Sequence, residues 1–225
     1  MSSLPQPASP EDLPPARSYR GESAEVRRQQ RRERMLEAAF EAFAQHGITR
    51  TTMRDICSLA RLTDRYFYES FRNTEDAFDQ VYKWQKDLLI AQVNAAVVDA
   101  KLNITDMARN GLRAFYTFIQ ADPRRAQVLL IDAFSANQQS RDKTSQAISQ
   151  YVTLIDAVAR RLYPRIKRDF NMEMMTWGLL GMAIQVGTVW AQGGFKEPVD
   201  EVLTYNLYAW QGLDQWVQAM VAAKT

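Results

Sequence analysis

Thr52 and Thr63 stand eleven residues apart, and each opens a stretch with room for only two turns of helix. Thr52 with Asp55 three residues later forms a capping-box pattern ahead of the apolar positions Met53, Ile56 and Leu59. After Ala60-Arg61-Leu62 a second run begins at Thr63, with Leu62 and Phe67 spaced as a hydrophobic staple. Two short helices, about 52–59 and 63–71, joined by three residues form a helix-turn-helix pattern. Few other arrangements satisfy two caps and so short a turn.

The surrounding chain is helical as well. Leu36, Ala39, Phe40 and Phe43 recur at i, i+3, i+4 and i+7, and Gly47 supplies a C-cap for a helix over 23–46. A long helix is expected from Asn73 to about Ala100, then others near 104–120, 123–137, 142–163, 170–192 and 198–222. Strand-like alternation is absent. The expected fold is all-α, with about nine helices and no internal repeat.

In a helix-turn-helix the second helix enters the DNA major groove while the first crosses the backbone. At 100° per residue Phe67 and Phe71 share an inward stripe, and Arg65, Tyr66 and Tyr68 fan around the outer side. Such an arginine can pair with guanine or phosphate, and tyrosines reach phosphate oxygens. Packing of the tyrosines on the neighbouring long helix is the competing role. Glu69 also points outward, where it repels DNA unless it accepts from cytosine or pairs with Arg65 or Arg72.

Charge agrees with this placement. Residues 17–72 hold twelve arginines against eight acids, while residues 73–225 balance sixteen of each sign. Phosphate contact and a solvated helix face both fit that asymmetry. Arg28 and Arg32, with Arg27, Arg31 and Arg34 on the preceding helix, are the candidates for phosphate.

Other classes find less support. One cysteine and one histidine fall short of a structural zinc set. Neither a P-loop, a Glu-x-x-His pair nor a GxGxxG in strand context occurs, so neither catalysis nor a cofactor or metal is expected. Cys57 reads as buried filler, and His46 as a helix-terminal cation or a solvated residue. Five prolines in the first fifteen residues suggest a disordered leader over 1–22. Residues 174–195 carry no charge and could span a bilayer by length, but Thr176, Gln185, Thr188, Gln192 and five glycines favour a helix buried on nearly all sides. No membrane partner is expected.

The segment RERMLEAAFEAFAQHGITRTTMRDICSLARLTDRYFYESFRNTEDAF resembles the N-terminal domain of TetR-family transcriptional regulators. Ala38-Ala39, Phe43, Gly47, Thr51-Thr52, Ile56, Tyr68, Phe71 and Glu75 stand at the positions of that pattern. The resemblance implies a cytoplasmic, nucleoid-associated bacterial homodimer, most simply a repressor released from a near-palindromic double-stranded DNA operator by a small-molecule effector. By position, the DNA-facing residues are Arg54, Thr63, Asp64, Arg65, Tyr66, Tyr68 and Ser70, with Thr74 where a lysine usually begins the fourth helix. Arg61 stands where the family has a turn glycine, a left-handed position that strains other residues by about 1 kcal/mol.

The implied organisation is a DNA-binding domain over 23–73, a connecting helix over 74–100, and a ligand-binding and dimerisation domain over 101–225. Phe115, Phe118, Leu129, Phe134, Trp177 and Met182 would wall a pocket for an apolar or aromatic effector, although an ordinary core uses the same residues. Gly187, Trp190, Tyr205 and Trp210 are the candidates for a dimer seam, which the family places on the last two helices. The alternatives are a coregulator of this fold with weakened DNA binding, kept open by Arg61 and Thr74, and a helical lipid or small-molecule carrier.

Overall fold

The computed structural model describes residues 23–98, 104–135, 138–162 and 171–222; the leader expected at 1–22 lies outside them. Among the described residues nine helices follow one another: α1 (Ala24–His46), α2 (Met53–Ala60), α3 (Asp64–Ser70), α4 (Thr74–Val98), α5 (Ile104–Ala121), α6 (124–135), α7 (Gln138–Leu162), α8 (Met172–Gln192) and α9 (Val199–Ala222). No strand occurs among the described residues.

Local chemistry sets the early boundaries. The Ser23 hydroxyl accepts from the Val26 N–H to cap α1. At the other end Gly47 takes φ +73°, and its N–H closes on the Phe43 carbonyl. The Thr52–Asp55 capping box opens α2 with both reciprocal hydrogen bonds in place. α3 starts after Thr63, whose side chain makes no capping bond.

Two apolar clusters result. The first joins α1 to α4 through Met35, Phe40, Phe43, Ile56, Phe67, Phe71 and Phe78. The second joins α5, α6, α8 and α9 through Tyr116, Ile119, Leu129, Leu130, Trp190, Leu203 and Trp210. Tyr82 of α4 packs against both, and Val128 of α6 is buried in the first cluster although its neighbours Leu129 and Leu130 belong to the second.

Two expectations need correction. The segment at 123–137 is not a plain helix: Gln127–Asp132 winds as a π-helix between short α turns. The wider turn sends Val128 and Asp132 to one domain and Leu129 and Leu130 to the other. α8 is not buried on nearly all sides. Thr176, Leu179, Ala183, Gly187 and Trp190 face inward, whereas Met174, Gly178, Gly181, Gln185 and Val189 are exposed. Glu173–Gln192 is, among the described residues, the one helix long and apolar enough to cross a membrane. Polarity there is low on both faces, so composition could not separate the inner from the outer one.

Candidate nucleic-acid interface and effector cavity

The turn between α2 and α3 decides how α3 is presented. Arg61 adopts φ 50° and ψ 46°, left-handed as expected. Its N–H reaches the Ser58 carbonyl at 3.1 Å, and the Leu62 N–H reaches that of Cys57 at 3.1 Å, the paired bonds of a Schellman motif. The Ala60 carbonyl accepts from Arg34 Nη2 at 2.8 Å. The motif therefore survives without glycine. Arg34 works as a helix cap rather than in the phosphate-facing role expected of it.

Phe67 and Phe71 are buried as the helical geometry requires, and their rings meet edge-on at 5.4 Å. Tyr68 is 63% exposed, its ring edge-on to Phe67. Arg65, Arg54, Thr63 and Asp64 are exposed as well, while Thr74 is half-buried at the start of α4. Asp64 also faces the Cys57 thiol, which burial first and Asp64 second push above its ordinary range.

Glu69 is answered by its neighbour: Arg65 Nε donates to Glu69 Oε1 at 3.0 Å, so the carboxylate reaches the surface already neutralised. Arg72 pairs instead with Asp76, whose carboxylate lies below its ordinary range despite burial because Arg72 donates to it through both N–H and guanidinium.

Of the expected outward residues, Tyr66 and Ser70 turn partly inward, and Arg32 stays exposed but is held by neighbours. Tyr66 is half-buried beneath the Arg31 guanidinium, 4.7 Å above its ring. Ser70 Oγ donates to the Tyr66 carbonyl. Arg32 donates to the Ser70 carbonyl at 2.9 Å and to Gln80, so it braces α3 against α1 and α4. The side of α3 that carries Tyr66 and Ser70 is thus used for docking on α1, which periodicity alone could not distinguish from solvent. Arg28, Arg31 and Arg32 still line a polar recess of about 290 Å³ between α1 and α3, with Tyr66, Glu69 and Ser70 on its far wall. Glu25 and Glu69 set two carboxylates against the three guanidinium groups of this recess, which leaves its lining net positive.

The second site is a cavity of about 320 Å³ in the C-terminal half. Phe115, Leu129 and Phe134 line it; Phe118, Trp177 and Met182 do not. Phe118 is buried under the Arg125 guanidinium, 3.9 Å from its ring. On α8 the lining falls to Leu180, Ala183 and Ile184. Met182 lies on the opposite side of that helix, and Trp177 a turn beyond. The largest wall was missed: Tyr82, Lys86, Leu89, Ile90, Val93, Asn94 and Val97 all come from α4. Their spacing of three and four makes one face of α4 a wall of the cavity, beyond the connecting role expected of it.

The seam candidates also divide. A Cβ on Gly187 would lie 3.2 Å from Ile119 and 3.3 Å from Phe115, so this glycine admits α5 within the subunit. Trp190 is buried against Tyr116 and Phe195 and donates to the Glu197 carbonyl. Trp210 is buried and lines the cavity. These three belong to the subunit core, where their size fills space between helices. Tyr205 is exposed on α9, alongside Tyr208 and Trp216.

Two contacts tie cavity to interface. The Arg124 guanidinium, at the start of α6, pairs with Glu37 and Glu41 of α1 at 2.9 Å and with Asp122, and lies 4.4 Å over the Phe40 ring. Asp132, at the end of the π segment, accepts from the Ile48 N–H at 3.1 Å and from Gln127. Burial pushes the Asp132 carboxyl above its ordinary range.

Residues 35–81 match the model of the bacterial regulatory proteins of the tetR family. The N-terminal domain is a TetR-family domain. A probable acrEF/envCD operon repressor of Escherichia coli K12 is 35% identical over 57 residues, 25% of this chain and 26% of that protein. The match therefore spans about a quarter of that relative's length. The similarity in fold reaches much further. The fatty acid degradation regulator FadR of Bacillus halodurans superposes with a TM-score of 0.69 at 17% identity, covering 79% of this chain and 94% of that one. FadR of Bacillus subtilis, solved with stearoyl-CoA, gives 0.69 at 17%, covering 78% and 95%. AibR, solved with isovaleryl-CoA and operator DNA, gives 0.64 at 17%, covering 79% and 96%. Beyond the TetR-family domain, then, these structures share the helical architecture of the C-terminal half.

Proposed function

We propose that the chain is a transcriptional regulator, most simply a repressor, that binds a near-palindromic operator as a homodimer and is released by an apolar effector. The observation that carries this is the connection of an outward α3 to a hollow, apolar-walled C-terminal half through one π-helical segment. Arg65, Tyr68 and Arg54 are the groups placed to meet bases and phosphates, with Thr63, Asp64 and Thr74 beside them. The Arg31 and Arg28 recess would hold the flanking phosphate. Bound there, the protein belongs to the cytoplasm and its nucleoid.

The intact Schellman turn at Arg61 favours this over a coregulator with weakened DNA binding. Met174, Val189, Tyr205, Tyr208 and Trp216 form exposed apolar stripes on α8 and α9, with Gly178, Gly181 and Gly212 open between them. A second copy covering those stripes in a four-helix contact would hide the surface that gives α8 its membrane-like hydropathy.

An effector acts by binding better to one of two states. Leu129 and Leu130 meet the effector, while Val128 and Asp132 hold the DNA-binding domain, so a shift of α6 is felt on both sides. Footprinting on the DNA upstream of the chain's own coding sequence tests the reading. A protected, two-fold symmetric site is expected; uniform weak binding to all DNA speaks for the carrier or coregulator instead.

A further inference from the structure

The cavity's shape restricts what can occupy it. Along α4 the lining runs from Tyr82 to Val97, fifteen residues apart, or about 22 Å of helix. On the opposite side α7 contributes from Ile148 to Val158, about 15 Å. A volume of about 320 Å³ drawn out over that length leaves a bore of one hydrocarbon chain. A compact ring system would fill a part of it and leave the remainder empty.

Charge fixes the direction. Among the described lining residues Lys86 is the single charged one, and no acid faces the cavity. The nearest counter-ion is shared: Asp87 pairs with Lys83 at 2.6 Å and with Lys86 only at 3.5 Å. One carboxylate between two ammonium groups leaves positive charge at the wall. From Lys86 to Val97 are eleven residues, about 16 Å, ending where a Cβ on Gly111 of α5 would lie 3.5 Å from the Val97 side chain.

We propose that the effector is a straight acyl chain whose anionic head lies at Lys86 and whose tail ends at Gly111 and Val97, making these residues a gauge of chain length. A free carboxylate supplies that charge at the end of its chain, whereas a coenzyme A thioester offers Lys86 a neutral carbonyl that accepts from the ammonium and carries its phosphates outside the cavity. The proposal deepens the regulator reading, yet its test involves no DNA.

Calorimetry on the full chain uses straight-chain carboxylates from hexanoate to hexadecanoate, their coenzyme A thioesters, their methyl esters, and a two-ring aromatic carboxylate. Affinity is expected to rise about fourfold per methylene up to a limit on the order of a dozen carbons, and then to level off. Gly111→Leu shortens that limit by several carbons. Should that variant fold poorly, Val97→Phe blocks the same end from the other wall. Lys86→Gln weakens the carboxylate about tenfold and leaves the methyl ester unchanged. Saturation by thioesters alone identifies the source as activated acyl groups, and by carboxylates alone as free acids; either supports the chain.

A flat length series overturns the proposal, as does an aromatic carboxylate that binds as tightly as dodecanoate. An operator-binding protein that ignores every chain probe overturns the effector class and leaves the regulator intact. A chain-length series without operator binding does the reverse.

Discussion

The two apolar clusters of this chain differ in one respect: one is full and the other is hollow. In the N-terminal cluster Phe40, Phe43, Phe67, Phe71 and Phe78 are each at most 2% exposed, and Phe43 meets Phe78, Phe67 meets Phe71 and Phe40 meets Trp84 edge-on. In the C-terminal one, mostly apolar side chains from α4 to α9 surround a cavity. A solid core holds α3 in one orientation, which reading a fixed DNA surface demands. A hollow core has room for a guest, and its walls have somewhere to move. On the proposed reading the switch sits where the two clusters meet, at Tyr82, Val128 and Asp132.

The full core should break hardest. Phe67→Ala is expected to cost about 3–5 kcal/mol and to abolish operator binding; urea unfolding and gel retardation check both. Arg65→Ala leaves that core untouched and instead frees Glu69 to face DNA. It should weaken operator affinity by about 1–3 kcal/mol, more on specific than on random DNA. An equal loss on every sequence would make Arg65 a phosphate contact.

The hollow core should respond in the opposite sense. Ala108→Leu adds side chain to a wall that faces empty space, so the protein gains about 1 kcal/mol in thermal unfolding and loses its effector response. A loss of stability there would mean the space is not truly vacant. At the turn, Arg61→Gly relieves the left-handed strain and should stabilise by roughly 0.5–1 kcal/mol, again by urea unfolding.

The smallest effect is a slope. Burial holds the Asp132 carboxyl above its ordinary range, so the folded state keeps the proton longer than the unfolded state does. Stability contributed by this group is fully present at pH below the ordinary carboxylate value and is lost as pH rises through the raised one. Asp132→Asn should remove that part of the pH dependence in urea titrations between the two values. An unchanged profile would show that Asp132 carries no such linkage.

Much of the solid region was legible from sequence because each local signal there has one cause. The Thr52–Asp55 cap, Gly47 and the Phe67–Phe71 spacing each specify a boundary or a face, and the structure places them so. The hollow region was less legible. Trp190, Trp210 and Gly187 are residue types favoured both in cores and at seams, and nothing local tells the two apart. The π turn at Gln127–Asp132 has no simple periodic signature, so the parting of Val128 from Leu129 could not be anticipated. Tyr66 and Arg32 escaped for a related reason: their partners, Arg31 and Ser70, are near only in space.

The most direct test of the account is selection from random double-stranded DNA by the full-length protein, followed by anisotropy titration of the selected site at two salt concentrations. The expected result is a near-palindrome whose half-site centres lie about 34–36 Å apart, with affinity that falls steeply as salt rises and falls again when dodecanoate or its coenzyme A thioester is added. A pool that shows no sequence enrichment, bound equally with and without those probes, would contradict it.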